Sequence, residues 1–80
     1  MNELKIIYSY EGVSALYTVI FALPSGYEIA RQSREARLGD TITVDAIDFR
    51  GYRPMQNSIT FVVDEVNQVE YFPYLELSHE

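Results

Sequence analysis

The run ALYTVIFAL at residues 15–23 decides the fold. Tyr17, Val19 and Phe21 fall on one face of an extended chain, because side chains alternate between the two faces of a β-strand. The opposite face is also apolar, at Ile20. A strand that is apolar on both faces is usually central in its sheet or covered on both sides. The run therefore predicts a strand inside a sheet.

The same period of two runs through most of the remaining chain, which is rich in Tyr, Phe, Ile, Val and Thr. It predicts further strands at residues 4–10, 27–33, 41–47, 58–63 and 68–74. Only residues 33–37 and the neighbourhood of Asp48 have any helical potential, and neither has the length or the apolar spacing of a core-facing helix. The predicted fold is mainly β, with five or six strands and at most one short helix.

Turn residues divide these strands. Pro24, Ser25 and Gly26 predict a hairpin between the first run and residues 27–33, since Pro fixes φ and Gly tolerates a positive φ. Gly39 predicts the turn before residue 41.

The other connections are less regular. Residues 34–37 are predicted as a connection, residues 48–57 as a loop with one helical turn at 46–49, and residues 64–67 as the link of a final hairpin. The predicted core residues are Phe21, Ile29, Ile42, Val44, Ile59, Phe61 and Val69.

Composition restricts the function. Eighty residues suffice for one small domain, and the chain contains no cysteine and a single histidine, His79. Thiol catalysis, iron–sulfur clusters and cysteine zinc sites are therefore excluded, and a catalytic role is not expected. The net charge of −6 argues against nucleic-acid binding, and no apolar stretch has the length of a membrane-spanning helix. We expect no cofactor and no direct membrane insertion.

Several short motifs occur in a distinctive order. They are Tyr17-Thr-Val-Ile-Phe21, Gly26-Tyr-Glu-Ile-Ala30, Leu38-Gly-Asp-Thr-Ile-Thr-Val44, Gly51-Tyr52 and Val69-Glu-Tyr-Phe-Pro-Tyr74. In this order they resemble the mucin-binding protein (MucBP) repeat of Gram-positive bacterial surface proteins.

The resemblance implies a small β-grasp, ubiquitin-like sheet at residues 17–74. Residues 1–16 would then be an extra strand or an inter-repeat linker, and residues 75–80 a tail. It also implies a non-catalytic, extracellular, cell-wall-anchored adhesion module that binds mucin or other host glycoprotein glycans weakly and adjoins neighbouring repeats of the same protein. The alternative is a spacer repeat that has no ligand of its own.

A basic segment is the sharpest candidate for a ligand site. Five of the six cationic side chains fall between residues 31 and 53: Arg31, Arg34, Arg37, Arg50 and Arg53. If the connection at 34–37 folds towards the last two, the guanidinium groups could bind sulfate or a sialic-acid carboxylate in a bidentate geometry. The alternative is that these arginines pair with Glu35, Asp45 and Asp48 on a solvated loop.

Tyrosine, present seven times, suits both a half-buried sheet and stacking on sugar rings. The tyrosines at the motif positions are predicted to pack in the core or bond to the backbone: Tyr17, Tyr52, Tyr71 and Tyr74. Tyr8, Tyr10 and Tyr27 are the candidates for an exposed ligand-binding surface.

Clustered carboxylates do not form a convincing metal site. Asp45, Asp48, Asp64 and Glu65 with Asn67 supply oxygen ligands, but no calcium-binding loop spacing is present. We therefore expect no metal.

Overall fold

The computed structural model describes residues 12–77, which form six strands and no helix. The strands are β1 (Ser14–Ala22), β2 (Glu28–Arg37), β3 (Thr41–Asp45), β4 (Tyr52–Pro54), β5 (Ser58–Val62) and β6 (Asn67–Glu76). The prediction of a small, mainly β domain is confirmed. The predicted strand at residues 4–10 lies outside the described residues.

A four-stranded sheet has the order β2-β1-β6-β4. The 15–23 run forms β1, inside this sheet, as its two apolar faces predicted. It pairs antiparallel with β2 and parallel with β6. The short β4 pairs antiparallel with the end of β6.

The β1–β2 hairpin closes as predicted. Leu23 donates its N–H to the Tyr27 carbonyl at 2.9 Å, and Gly26 donates to the Leu23 carbonyl at 2.9 Å. Gly26 has φ +101° and Gly39 has φ +96°, both in the region that favours glycine. These two turns therefore have the residue type that their backbones require.

A second sheet consists of β3 and β5, paired antiparallel. Ile42 lies opposite Phe61 and Val44 lies opposite Ile59, and all four pack against the core. The other face of the pair is polar except for exposed Val62, and the Thr43 and Thr60 hydroxyls bond at 3.1 Å. The second sheet thus covers one face of the first, which we call the core face; its opposite face is called the outer face.

Aromatic rings fill the space between the sheets. Phe21 lies 5.4 Å from Phe49, 5.6 Å from Phe72 and 5.9 Å from Tyr74 between ring centroids. Such spacings are typical of favourable aromatic pairs. Phe21, Phe72 and Tyr74 are fully buried, so this cluster is the centre of the core.

Most of the predicted core is found there. Phe21 is fully buried, and five further predicted residues are partly buried against the cluster: Ile29, Ile42, Val44, Ile59 and Phe61. Val69 was predicted wrongly, because it is 52% exposed on the outer face. Gln68 and Phe72 are buried on the core face of β6. Because side chains alternate along a strand, Val69 points to the opposite face.

Four local predictions are wrong. Residues 34–37 are not a connection but the end of β2, because β1 offers Ser14 and Ala15 as ladder partners for Arg37 and Ala36. Residues 46–49 form no helical turn, and the predicted 48–57 loop contains β4. The strands at 58–63 and 68–74 do not form a hairpin, because β5 pairs with β3 and β6 with β1.

Gln68 holds the connection between β5 and β6. Its Oε1 accepts from the N–H groups of Asp64 (2.8 Å) and Glu65 (3.3 Å), and its Nε2 donates to the Val62 carbonyl at 3.0 Å and to a Glu70 carboxylate oxygen at 2.7 Å. The side chain is buried, so these bonds replace contacts with water.

We expect Gln68→Met, which keeps the length of the side chain but removes its bonds, to lower the free energy of unfolding by about 1 to 2 kcal/mol. Urea denaturation of the variant and the native chain measures this. The matched control is Asn67→Ala at the neighbouring exposed position, which should change the midpoint little. An unchanged midpoint for Gln68→Met would show that the connection does not depend on this amide.

Candidate functional site

The outer face of the four-stranded sheet carries Tyr71, the most exposed large apolar side chain among the described residues. β6 places Val69, Tyr71 and Leu75 there, and β1 adds Leu16. Tyr71 is 65% exposed and Val69 52% exposed. An exposed apolar surface of this kind on a small domain is typical of a binding surface.

One row of the outer face is organised around Tyr71. In the ladder, Ile20 lies between Arg31 on β2 and Tyr71 on β6. Ile20 is buried although it belongs to the outer face, because its two ladder neighbours are long side chains that flank it. Tyr71 therefore has a buried apolar residue as its ladder neighbour, while its own ring is exposed.

The guanidinium of Arg31 is already engaged. Its Nε and Nη2 donate to the two carboxylate oxygens of Glu28 at 2.8 Å and 2.7 Å. Glu28 raises the pKa of Arg31 through this hydrogen bond and through its charge, while Arg31 lowers the pKa of Glu28. Both groups are exposed, so the pair orders the edge of the sheet more than it stabilises the fold. The Nε and Nη2 donors of Arg31 are occupied by Glu28, so they cannot bind the carboxylate of a ligand in the same bidentate way.

Arg53 lies at the other side of the outer face. It is exposed and pairs in the ladder with Leu75, so the two side chains share that face. Leu75 is four residues along β6 from Tyr71, about 13 Å at the usual rise of a strand. Among the described residues, Arg53 makes no ion pair. A positive charge therefore lies beside the apolar surface, within reach of an extended ligand.

The structure does not bring the five predicted arginines together. Arg31, Arg34 and Arg37 lie on β2, at one edge of the sheet, and Arg53 lies on β4, at the opposite edge. Arg50 is in the turn before β4, closed by the Tyr52 N–H donating to the Phe49 carbonyl. Because 34–37 is a strand and not a loop, it cannot fold towards residues 50 and 53.

Along β2 the arginines also alternate between faces. Arg34 lies opposite Tyr17 and so belongs to the edge of the core face, whereas Arg31 and Arg37 belong to the outer face. Arg37 donates from Nη1 to the Gly12 carbonyl at 2.7 Å. None of the predicted partners Glu35, Asp45 and Asp48 forms an ion pair with an arginine within residues 12–77.

Arg37 borders an open depression of about 590 Å³ between the start of β1 and the end of β2. Glu35 and Asp40 line it as well, and Asp40 accepts the Arg37 backbone N–H at 3.0 Å. Charges of both signs and these existing bonds give the depression no preference for an anion.

Tyr27 is 59% exposed, as predicted for a freer tyrosine. It lies near Tyr52: burial raises the pKa of Tyr52, and neighbouring Tyr27 and Glu76 raise it further. These three side chains are at the end of the sheet where β6 finishes, away from the row of Tyr71. Tyr8 and Tyr10, the other two candidates, lie outside the described residues.

Tyr71 was predicted to pack in the core, and this is wrong. Phe72 and Tyr74 occupy the core face, so Tyr71 between them faces outwards. Strand alternation shows that Tyr71 lies on the opposite face from Phe72 and Tyr74, but it does not say which of the two faces enters the core. Tyr17 and Tyr74, by contrast, are buried as predicted, and Tyr52 is half-buried.

Within residues 12–77, no three acidic, histidine or cysteine side chains lie close enough to hold a metal ion. The same residues include no helix that is long and apolar enough to cross a membrane. The candidate site consists of exposed Tyr71, its apolar neighbours on the outer face and Arg53.

Comparison with protein-family models finds no match for this chain. Neither a curated protein nor a solved structure matches it. The resemblance to MucBP repeats thus stays a prediction that rests on the motifs quoted above.

Proposed function

We propose that this chain is a non-catalytic adhesion module of a bacterial cell-surface protein, and that its outer face binds glycans of mucin or other host glycoproteins. The exposed ring of Tyr71 is the observation that carries the proposal. A tyrosine ring presents a flat apolar surface on which the apolar face of a sugar can stack, and its hydroxyl can bond to the sugar's polar groups. Tyr71 lies within a paired strand beside buried Ile20, so its backbone needs no ordering when a ligand binds.

The surroundings of Tyr71 favour an acidic oligosaccharide over a single neutral sugar. Arg53 supplies a guanidinium that can bind a carboxylate or sulfate. Its distance along β6 from Tyr71 corresponds to more than one sugar unit. The remaining surface between them, Pro73 and Leu75, is apolar and suits sugar C–H groups.

A shallow, solvent-open face buries little of a ligand, so we expect weak binding by a single module, with a Kd of about 1 mM. Several copies on one protein would raise the overall affinity by effective concentration. The same argument explains why an adhesion module needs no deep cavity.

The test is a two-dimensional NMR titration with sialylated and sulfated mucin oligosaccharides. We expect the largest shifts at Val69, Tyr71 and Leu75, with smaller shifts at Arg53. Tyr71→Ala should weaken binding by about two- to tenfold, the effect of losing one aromatic contact. Urea denaturation should show that the variant is otherwise intact.

Tyr27→Ala is the matched control, because Tyr27 is equally exposed but lies at the end of the sheet. It should leave binding unchanged. If instead the shifts cluster around Tyr27, Tyr52 and Glu76, the outer face is not the ligand site. If no amide shifts with any glycan, the proposal fails in favour of a spacer repeat.

The spacer remains the second candidate because of one observation. Gly12 and Leu77 lie at opposite ends of the four-stranded sheet, since β1 and β6 run in the same direction. A domain of this shape lengthens any protein into which it is inserted. The titration separates the two functions.

A further inference from the structure

The strands through which the described chain enters and leaves the fold are direct neighbours. β1 and β6 pair in parallel over seven residue pairs, from Leu16 with Asn67 to Ala22 with Pro73. They are the two inner strands of the sheet, with β2 beyond one and β4 beyond the other. No other strand pair in residues 12–77 is parallel.

The parallel register sets the direction in which a pulling force would act. Gly12 is four residues before Leu16, and Leu77 is ten residues after its partner Asn67, so they are roughly 45 Å apart along the strands. Force applied at these two points draws β1 and β6 in opposite directions along their own axes. The hydrogen bonds between them lie across that direction.

We infer that the β1–β6 pair is a mechanical clamp, which allows the domain to carry tension along the chain without unfolding. In this geometry the interstrand bonds are loaded together and must break together. A pair that is pulled apart from one end loses its bonds one at a time, so it yields at lower force. The inference goes beyond glycan binding and does not depend on it.

The core strengthens the clamp. Val19 and Phe21 on β1 and Phe72 and Tyr74 on β6 are fully buried, so sliding either strand would expose apolar rings to water and break the interlocked packing. Water cannot readily replace the interstrand bonds from the core side. Resistance to forced unfolding is governed by the barrier to unfolding and not by equilibrium stability alone.

The entry and exit points are also tied to the rest of the fold. Gly12 donates its N–H to the Leu38 carbonyl at 3.2 Å and accepts from Arg37 at 2.7 Å, and Leu77 donates to the Gly51 carbonyl at 2.9 Å. These bonds lie outside the seven clamped pairs. They should yield first and leave the force on β1 and β6.

Single-molecule force spectroscopy on the full chain tests the clamp. The sequence contains no cysteine, so introduced cysteines define the two attachment points without interference. The first variant, Val13→Cys with Leu77→Cys, loads the strands lengthwise. The second, Ser25→Cys with Leu77→Cys, attaches both handles at the same end of the sheet and peels β1 from β6. All three positions are exposed.

We expect unfolding at a force at least about twofold higher in the lengthwise geometry, because several hydrogen bonds must break at once. Equal unfolding free energies in urea would show that the two variants differ only in pulling direction. Equal rupture forces, or a lower force in the lengthwise geometry, would overturn the inference. Glycan titration of the same chain is an independent measurement, so failure of one proposal does not imply failure of the other.

Discussion

Replacing Phe21 by alanine is expected to lower the free energy of unfolding by about 3 to 5 kcal/mol. Phe21 is fully buried and contacts three other aromatic rings, so alanine would leave a cavity at the centre of the core. Small domains have total stabilities at the low end of about 5 to 15 kcal/mol. Urea denaturation followed by far-ultraviolet circular dichroism measures the loss.

Two further variants serve as controls for Phe21→Ala. Phe21→Leu retains most of the volume and should cost less than about 1.5 kcal/mol, so it remains measurable if the alanine variant does not fold. Tyr71→Ala removes an aromatic ring from the position on β6 next to Phe72, the ladder partner of Phe21, but from the exposed face, and should change stability by less than about 0.5 kcal/mol. Similar losses for Phe21→Ala and Tyr71→Ala would contradict the assignment of the two faces.

Tyr74→Phe is expected to lower the free energy of unfolding by about 1 to 3 kcal/mol while the ring stays packed. The Tyr74 hydroxyl donates to the Ile47 carbonyl at 2.7 Å and accepts the Ile47 N–H at 2.9 Å. These bonds fasten the segment after β3 to the end of β6, and phenylalanine leaves both Ile47 groups without their partner. The measurement is again urea denaturation at neutral pH.

The same tyrosine makes stability fall in alkali. Burial raises the pKa of Tyr74 above its ordinary value of 10.0; the Ile47 N–H opposes this, and Asp48 adds to it. The unfolded chain therefore loses this proton at lower pH than the folded chain. The stabilising contribution is full below about pH 10 and declines as pH rises from there through the folded-state pKa.

Comparing unfolding free energies at about pH 8 and about pH 11 reveals this dependence. The native chain should lose more stability between the two values than Tyr74→Phe does. Tyr52→Phe is the comparison variant: the pKa of Tyr52 is also raised, so this substitution should remove its own part of the alkaline loss, but it should cost less stability at about pH 8 because the Tyr52 hydroxyl makes no pair of backbone bonds. An alkaline loss that is the same in the native chain and in Tyr74→Phe would assign the effect to other tyrosines.

Glycan binding and resistance to tension depend on different parts of the four-stranded sheet. Glycan binding uses the outer face, where Tyr71 and Arg53 meet solvent. Resistance to tension uses the hydrogen bonds between β1 and β6 and the packing of their core face. Because the Tyr71 side chain belongs neither to the backbone ladder nor to the core face, Tyr71→Ala should weaken binding by about two- to tenfold and leave the rupture force unchanged.

The sequence by itself determined most of the strands and the inner faces of β1, β3 and β5. Alternation along residues 15–23 and 41–45 identified β1 and β3, and Gly26 and Gly39 located two turns, because strand period and positive φ are properties of a few adjacent residues. The same local pattern correctly placed Phe21 and Ile42 against the core, although it failed for Val69 on β6.

Only the tertiary structure decided which strands pair and which side of β6 faces solvent. Strand pairing joins residues that are distant in the chain, so β6 lies beside β1 and not beside its sequence neighbour β5. The burial of β6 follows from where the second sheet packs, and it exposes Tyr71 while burying Tyr74. The separation of Arg34 from Arg53 has the same cause: sheet order, which no local pattern encodes, puts them on opposite edges.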